Sequence, residues 1–302
     1  MAYLRLFGAQ LAIGAAAIFA RFALTGTGPL WASTLRLAIA AAPLVLLALL
    51  SGKARPGRKA EFAFFGAGIA LAVHFGAWLA SLLYTSVAVS TLLVCTSPIW
   101  TGLYDALVLR VPVARSFLAA VALAAVGLGL VASERTSPAP QPGHTIEGAA
   151  LALLGSLGIG AYLLIVRAAG TRPDGTRMAT RDIVARTYSW AAIALLPLAL
   201  LSGGGPPAVT DATAWLGILA MALVSQSLGH TGLNAALRDF TPSAVAMSTL
   251  LEPVFAAALA AAIFRETLSW QAAAGGGLVL AAILIALRSD PRAPTGPEIA
   301  MD

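Results

Sequence analysis

Ser248 to Glu266 reads STLLEPVFAAALAAAIFRE. The stretch is apolar enough to cross a bilayer, yet Glu252 stands within it and Pro253 follows at once. A carboxylate at mid-bilayer depth costs about 3 kcal/mol on insertion scales, so it is expected to face protein or a water-filled cavity rather than lipid. The proline removes a backbone donor and predicts a bend at that point. An earlier version of the same stretch exists. Aligned on the prolines, Val87 to Val111 (VAVSTLLVCTSPIWTGLYDALVLRV) runs without a gap against Pro242 to Glu266, so that Pro98 matches Pro253 and Arg110 matches Arg265. A repeat with a constant offset points to duplication, and duplication in a membrane chain points to a transporter.

Composition excludes most other classes. Apolar residues make up 59% of the 302-residue chain and charged residues 11%, against about 25% charged in soluble domains. The net charge of +6 is spread over short loops, not gathered on one face, so no nucleic-acid partner is expected. The single cysteine, Cys95, lies in an apolar run and forms no intrachain disulfide. Arg5 before an apolar run resembles a signal peptide. The run is as long as the later ones, however, and reads as a retained first helix.

Ten apolar segments follow one another, roughly 6–24, 29–50, 60–83, 87–109, 113–133, 146–169, 181–201, 212–236, 243–264 and 268–288. Each is long enough for a helix across about 30 Å of hydrocarbon. A lipid-exposed chain must satisfy its own backbone, and no alternating strand pattern suggests a barrel. The expected class is therefore an all-α membrane protein with ten transmembrane helices. Turn residues punctuate the connections, as in Thr25-Gly26-Thr27-Gly28-Pro29, Ser202 to Pro207 and Thr241-Pro242. The proline-bearing stretch around Pro138, Pro140 and Pro142 divides the chain. This gives a first five-helix repeat over 1–134, a linker over 135–145, a second repeat over 146–288 and a tail over 289–302. Five is odd, so the second repeat crosses the bilayer upside down relative to the first, an inverted-topology repeat.

Lysine and arginine set the orientation. With the N-terminus cytoplasmic, the inner ends and loops hold Arg5, Lys53, Arg55, Arg58, Lys59, Arg110, Arg115, Arg167, Arg172, Arg177, Arg181, Arg238, Arg288 and Arg292, whereas the outer loops hold only Arg135 and Arg265. Both termini are assigned to the cytoplasm. Trp31, Trp215 and Trp270 then fall at outer helix ends, where an amphipathic ring favours the interface. Glycine clusters in the third segment (Gly66, Gly68), the sixth (Gly155, Gly158, Gly160) and the tenth (Gly275, Gly276, Gly277) predict close helix packing.

Polar residues within the apolar segments are few. The third segment carries His74 and Trp78, one turn apart; the fourth carries Trp100 and Tyr104 at the same spacing; the eighth carries Gln226, His230 and Asn234 as a stripe; the ninth carries Ser248 and Glu252. The stripe either hydrogen-bonds to neighbouring helices or lines a cavity, since both satisfy buried polar groups. Trp78, Trp100 and Trp190 serve equally as core aromatics. Glu252 has two readings: a structural carboxylate bonded to His230, Asn234 or a hydroxyl, or part of a pathway, the default for intramembrane ionisable groups. Asp105 reads as interfacial, Arg186 as a local ion pair with Asp182, Arg265-Glu266 as an outer-end capping pair, and Arg36 stays open. His74, Trp78, Trp100, Tyr104, Gln226, His230, Asn234, Ser248 and Glu252 are the candidate substrate-binding residues. Glu252, His74 and His230 are the candidates for proton coupling.

Two halves of five helices, Pro253 thirteen residues before Glu266, Leu35-Arg36-Leu37 in the second segment and the Ala236–Ala246 approach to the ninth together resemble the EamA-type exporters of the drug/metabolite transporter superfamily. Val111 departs from the pattern, standing where the first half would carry the glutamate. The resemblance implies a multi-pass bacterial inner-membrane exporter of amino acids or similar metabolites, aromatic amino acids among them, with lipid and a small-molecule substrate as partners and no cofactor. It sets neither the coupling ion nor the oligomeric state. The residues agree with a small amphiphilic zwitterion better than with a phosphorylated solute, which calls for cationic side chains in the cavity. Phosphate-loop, HExxH and GxSxG motifs are absent, and neither ATP hydrolysis, protease chemistry nor a catalytic or metal site is expected. The competing class is a non-transporting membrane scaffold, a channel or an enzyme on a lipid-linked substrate. A channel needs a continuous polar path and a lipid enzyme a charged cluster at one interface, whereas the polar residues here gather near mid-depth.

Overall fold

The computed structural model describes residues 2–50, 57–85, 87–110, 112–132, 144–172, 175–264 and 270–290. Every apolar segment is helical. In chain order the runs are α1 (Ala2–Gly14 and Ala16–Ala23), α2 (Pro29–Leu50), α3 (Arg58–Tyr84), α4 (Val87–Val94 and Ser97–Leu107), α5 (Arg115–Ala132), α6 (Thr145–Ala169), α7 (Thr180–Leu201), α8 (Ala212–Ala220, a π-helical stretch Met221–His230, and Thr231–Ala236), α9 (Pro242–Ser248 and Leu251–Phe264) and α10 (Trp270–Arg288). Among the described residues six runs are long and apolar enough to cross a membrane: Ala2–Ala23, α2, α3, Ile146–Ala169, α7 and Ala212–Ala236. α4 and α9 are divided by breaks, and α5 and α10 count as shorter apolar helices. Most of the expected linker, the 291–302 part of the tail, and Lys53, Arg55, Val111, Arg135, Arg265, Glu266 and Arg292 lie outside the described residues.

Helix ends follow from local chemistry. Asp211 caps α8 by accepting from Ala214 N at 2.9 Å, and Thr241 caps α9 by accepting from Ala244 N at 3.2 Å. Gly203, with φ of +76°, takes the left-handed conformation that stops α7 just past its C-cap.

Consecutive runs alternate in direction, and their ends gather into two groups. At one end Thr27 Oγ1 donates to Gly205 O at 2.7 Å and Trp31 Nε1 to Gly204 O at 3.1 Å, joining the α1–α2 and α7–α8 connections. At the other end Arg238 donates to Met178 O, Arg167 to Leu237 O, Thr241 to Asp290 and Ser243 to Asp105, while Arg5 lies 3.9 Å from Asp239. This second end is the basic one. Asp105 therefore ties α4 to the start of α9 there, in keeping with an interfacial place.

The packing of helices has a simple rule. α2 packs on α7, α4 on α9 and α5 on α10, while α3 packs on α6 and on α7, and α8 on α1 and on α2. Exchanging each helix with the one five places away leaves this set unchanged. The glycines provide the close approaches: a Cβ on Gly158 would come within 2.7 Å of Ala70 O and 2.8 Å of His74 N, and one on Gly127 within 2.6 Å of Gly275 O. Gly66 and Gly277 face open space and have no such role.

Candidate functional site

The bend expected at Pro253 is a break. α9 stops at Ser248 and restarts at Leu251, and the three-residue bonds Thr249 N to Ala246 O, Leu250 N to Met247 O and Glu252 N to Thr249 O bridge the gap. Pro253 falls in the first turn of the new segment, where the donor it lacks would have no helical partner. α4 repeats this around Cys95 and Thr96, with Pro98 in the first turn of its second segment. The duplicated proline is thus the visible part of a duplicated helix break. The two breaks meet: Cys95 Sγ donates to Thr249 O at 3.4 Å.

A third helix joins them. Gly14 lies where a Cβ would stand 2.6 Å from that of Phe255 and 3.2 Å from Glu252 O. One turn earlier, buried Gln10 donates to Ser248 Oγ at 2.7 Å. Glu252 itself is half-buried, and its carboxylate has no hydrogen-bond partner among the described residues. The structural alternative, a bond to His230 or Asn234, is not what the geometry has. Asn234 instead accepts from Tyr162 OH at 2.9 Å and donates to His230 O at 2.7 Å.

Beside the breaks lies a buried polar and aromatic cluster. His74 Nδ1 donates to Gly155 O at 2.9 Å, which leaves Nε2 with the lone pair when the ring is neutral. Gly155 and Gly158 allow this by bringing α6 against the α3 backbone. The Trp78 ring is stacked on His74 with centroids 6.4 Å apart, and His230 stands edge-on to Phe75 at 5.0 Å and to His74 at 6.1 Å. Arg36 enters from α2, fully buried, with Nη2 donating to Gln226 Oε1 at 2.9 Å and its guanidinium 4.1 Å from the Phe75 ring centre. Gln226 and His230 belong to the π-helical stretch of α8, a backbone form that recurs at functional sites. Tyr188 of α7 steadies it by donating to Gln226 O at 3.4 Å.

The structure therefore unites His74, Trp78, Gln226 and His230 in one cluster, and places Ser248 and Glu252 at the adjoining break. Asn234 lies a turn away against α6. Trp100 packs on α6 from the break in α4, its Nε1 donating to Ser156 Oγ at 3.0 Å. Tyr104 lies further along α4 and is exposed. Arg186 reaches Glu61 of α3 at 3.2 Å instead of forming the expected local pair, and Asp182 sits beside Arg181 at 3.5 Å. Glu61 also accepts from Trp190 Nε1 at 3.0 Å, which gives that tryptophan a structural place. Sequence reasoning passed over Gln10, Phe75, Tyr162 and Tyr188. Gln10 and Tyr162 had a signal, each being an isolated polar group in an apolar run. Phe75 had none.

Two surface clefts, of about 250 and 620 Å³, lie elsewhere: one at the basic end beside Arg5 and Asp239, the other beside Tyr84, His144 and Glu147. The central cluster is packed shut, with Arg36, Gln226 and Ser156 at 0% exposure.

A family model described as the EamA-like transporter family matches residues 1–133 and 146–288, one match for each half. No curated protein matches the sequence significantly. Among solved structures, a crystal structure of a protein 16% identical in sequence aligns with a TM-score of 0.75 over 94% of this chain and 96% of that one, a likeness that speaks to fold. With both halves matched in tandem over nearly its whole length, this multi-pass membrane chain belongs to the EamA-like transporter family, whose members move small solutes and are transporters rather than enzymes.

Proposed function

We propose that the chain is an exporter of small amphiphilic metabolites, amino acids with aromatic side chains among them, working by alternating access. On this reading all ten helices cross the bacterial inner membrane as two inverted five-helix repeats. The basic end, with both termini, faces the cytoplasm. The observation that carries the reading is the meeting of the α4 and α9 breaks beside Glu252. Non-helical backbone at membrane depth is tolerated only where protein buries it or a cavity is lined by it, and broken helices are where secondary transporters hold substrate. Here the breaks touch each other, a half-buried carboxylate stands at one of them, and an aromatic cluster lies alongside.

The buried cluster corresponds to the closed phase of the cycle. Opening parts the two halves on one side, so that the substrate meets Glu252 with its ammonium and the rings of Trp78, Trp100 and His74 with its apolar part. Tyr104, exposed on α4, lines the route toward the basic end. Glu252, His74 and His230 are the groups placed to exchange protons with the transport step. The polar residues form a closed patch and not a continuous file, which favours a carrier over a channel.

The test is counterflow of labelled amino acids in proteoliposomes, with and without a proton gradient. Preloaded unlabelled tryptophan or phenylalanine is expected to accelerate entry of the labelled form. An absence of acceleration for every amino acid would overturn the substrate assignment. Flux that rises linearly with concentration and ignores preloading would indicate a channel.

A further inference from the structure

Arg36 and Arg186 occupy matching places, each in the first turns of the second helix of its half, and they are treated differently. Arg186 is half-buried and paired with Glu61 at 3.2 Å. Arg36 is at 0% exposure, yet no carboxylate lies within ion-pair distance of it among the described residues. A guanidinium has five N–H donors. Those of Arg36 find Gln226 Oε1 at 2.9 Å, Met221 Sδ at 3.9 Å and the face of Phe75, while Nε has no partner. Its neighbours repeat the shortage. Gln226 Nε2 and Trp78 Nε1 are buried donors without acceptors, and His230 Nδ1 is likewise unpartnered. A buried donor without an acceptor is costly, and several around one cluster call for an acceptor-rich guest.

The guest's chemistry follows from the donor set. The site has one fixed positive charge, surplus N–H groups and aromatic faces. A planar carboxylate matches a guanidinium fork, and a ring attached to it matches the stacked His74 and Trp78. Glu252 stands at the α9 break, in the other half of the molecule. The two charges are of opposite sign and come from opposite halves of the molecule, so one can face each end of a zwitterion. We propose that Arg36, supported by Gln226, binds the carboxylate of the transported solute, so that solutes lacking a carboxylate are poor substrates. The proposal rests on the amino-acid reading above and adds to it the residue that enforces it.

Two measurements separate this inference from that reading. The first is binding, read as thermal stabilisation of the detergent-solubilised full chain. Tryptophan and indole-3-propionate, both carboxylates, are expected to raise the melting midpoint by about 2–4 °C at saturating concentration, and tryptamine, which lacks the carboxylate, much less. Arg36→Gln should abolish the carboxylate-dependent part. Arg36→Lys keeps the charge without the fork and should weaken it about tenfold. The lysine variant serves if Arg36→Gln fails to fold. The second measurement is counterflow of the same three compounds. Stabilisation by tryptophan that depends on Arg36, without counterflow, would uphold the site and overturn the export reading. Equal stabilisation by tryptamine, none by either carboxylate, or full carboxylate stabilisation in both variants would overturn the inference, whatever the counterflow shows.

Discussion

The α3–α6 and α8–α1 contacts hold equivalent places in the two halves and are built from different backbone. α3 and α6 are continuous helices of 27 and 25 residues, closed together by Gly155 and Gly158. α8 carries a ten-residue π-helical stretch, and α1 is interrupted at Ala15. The regular pair presents His74, held by a carbonyl of its own partner helix. The irregular pair presents Gln10, Gln226 and His230, each with at least one polar atom left without a partner. Both halves share one packing plan; the irregular pair holds Gln10 Oε1, Gln226 Nε2 and His230 Nδ1 without partners, and the regular pair Trp78 Nε1.

That contrast can be broken in three ways. The largest effect is expected from Gly158→Ala, whose new methyl meets backbone atoms of α3 that cannot turn aside. It should lower stability by about 1–3 kcal/mol, read as the melting midpoint in detergent. A glycine-to-alanine change in the irregular pair, Gly229→Ala, meets chiefly the Ile13 side chain, with backbone no nearer than 3.1 Å, and should cost less. Equal losses would erase the distinction between the two pairs.

A smaller effect on stability, but a clear one on transport, is expected from deleting Ser227. The deletion shortens the π-helical stretch by one residue and leaves Gln226 and His230 three positions apart, off their present alignment. Exchange should fall at least about tenfold, equivalent to ~1.4 kcal/mol, with insertion and folding kept. Wild-type exchange would show that the π-helical form is incidental. The smallest effect is expected from Trp100→Ala, which removes an aromatic face beside the α4 break. Transport of aromatic substrates should weaken by about three- to tenfold, in line with ~0.5–1.5 kcal/mol for an aromatic pair, while aliphatic amino acids are little affected. A uniform loss across substrates would mark Trp100 as packing alone.

Much of the fold was legible in the order of residues because its signals are local. Apolar length fixes where helices run, and every predicted segment lies on one. Pro98 and Pro253 marked the disturbed helices, although a proline announces a bend and the break also depends on the three-residue turns before it. The π-helical stretch left no mark: Met221 to His230 differs little in composition from an α-helix, and its register is held from outside by groups such as Tyr188. The site was half legible for a related reason. His74, Trp78, Gln226, His230 and Glu252 stood out as polar or aromatic groups in apolar runs. The place of Arg36 stayed open because its partner, Gln226, lies 190 residues away. Arg186 had a nearer explanation in Asp182, which the packing of α7 on α3 displaced in favour of Glu61.

The central claim is that the carboxylate at the α9 break meets the transported solute. Tryptophan counterflow by Glu252→Gln in proteoliposomes tests it most directly, since the carboxylate has no hydrogen bond to lose among the described residues and the variant is expected to fold normally. The account predicts at least about a tenfold loss of exchange, as for a charged hydrogen bond of ~1.5–3 kcal/mol, with an unchanged melting midpoint. Exchange at the wild-type rate would contradict it.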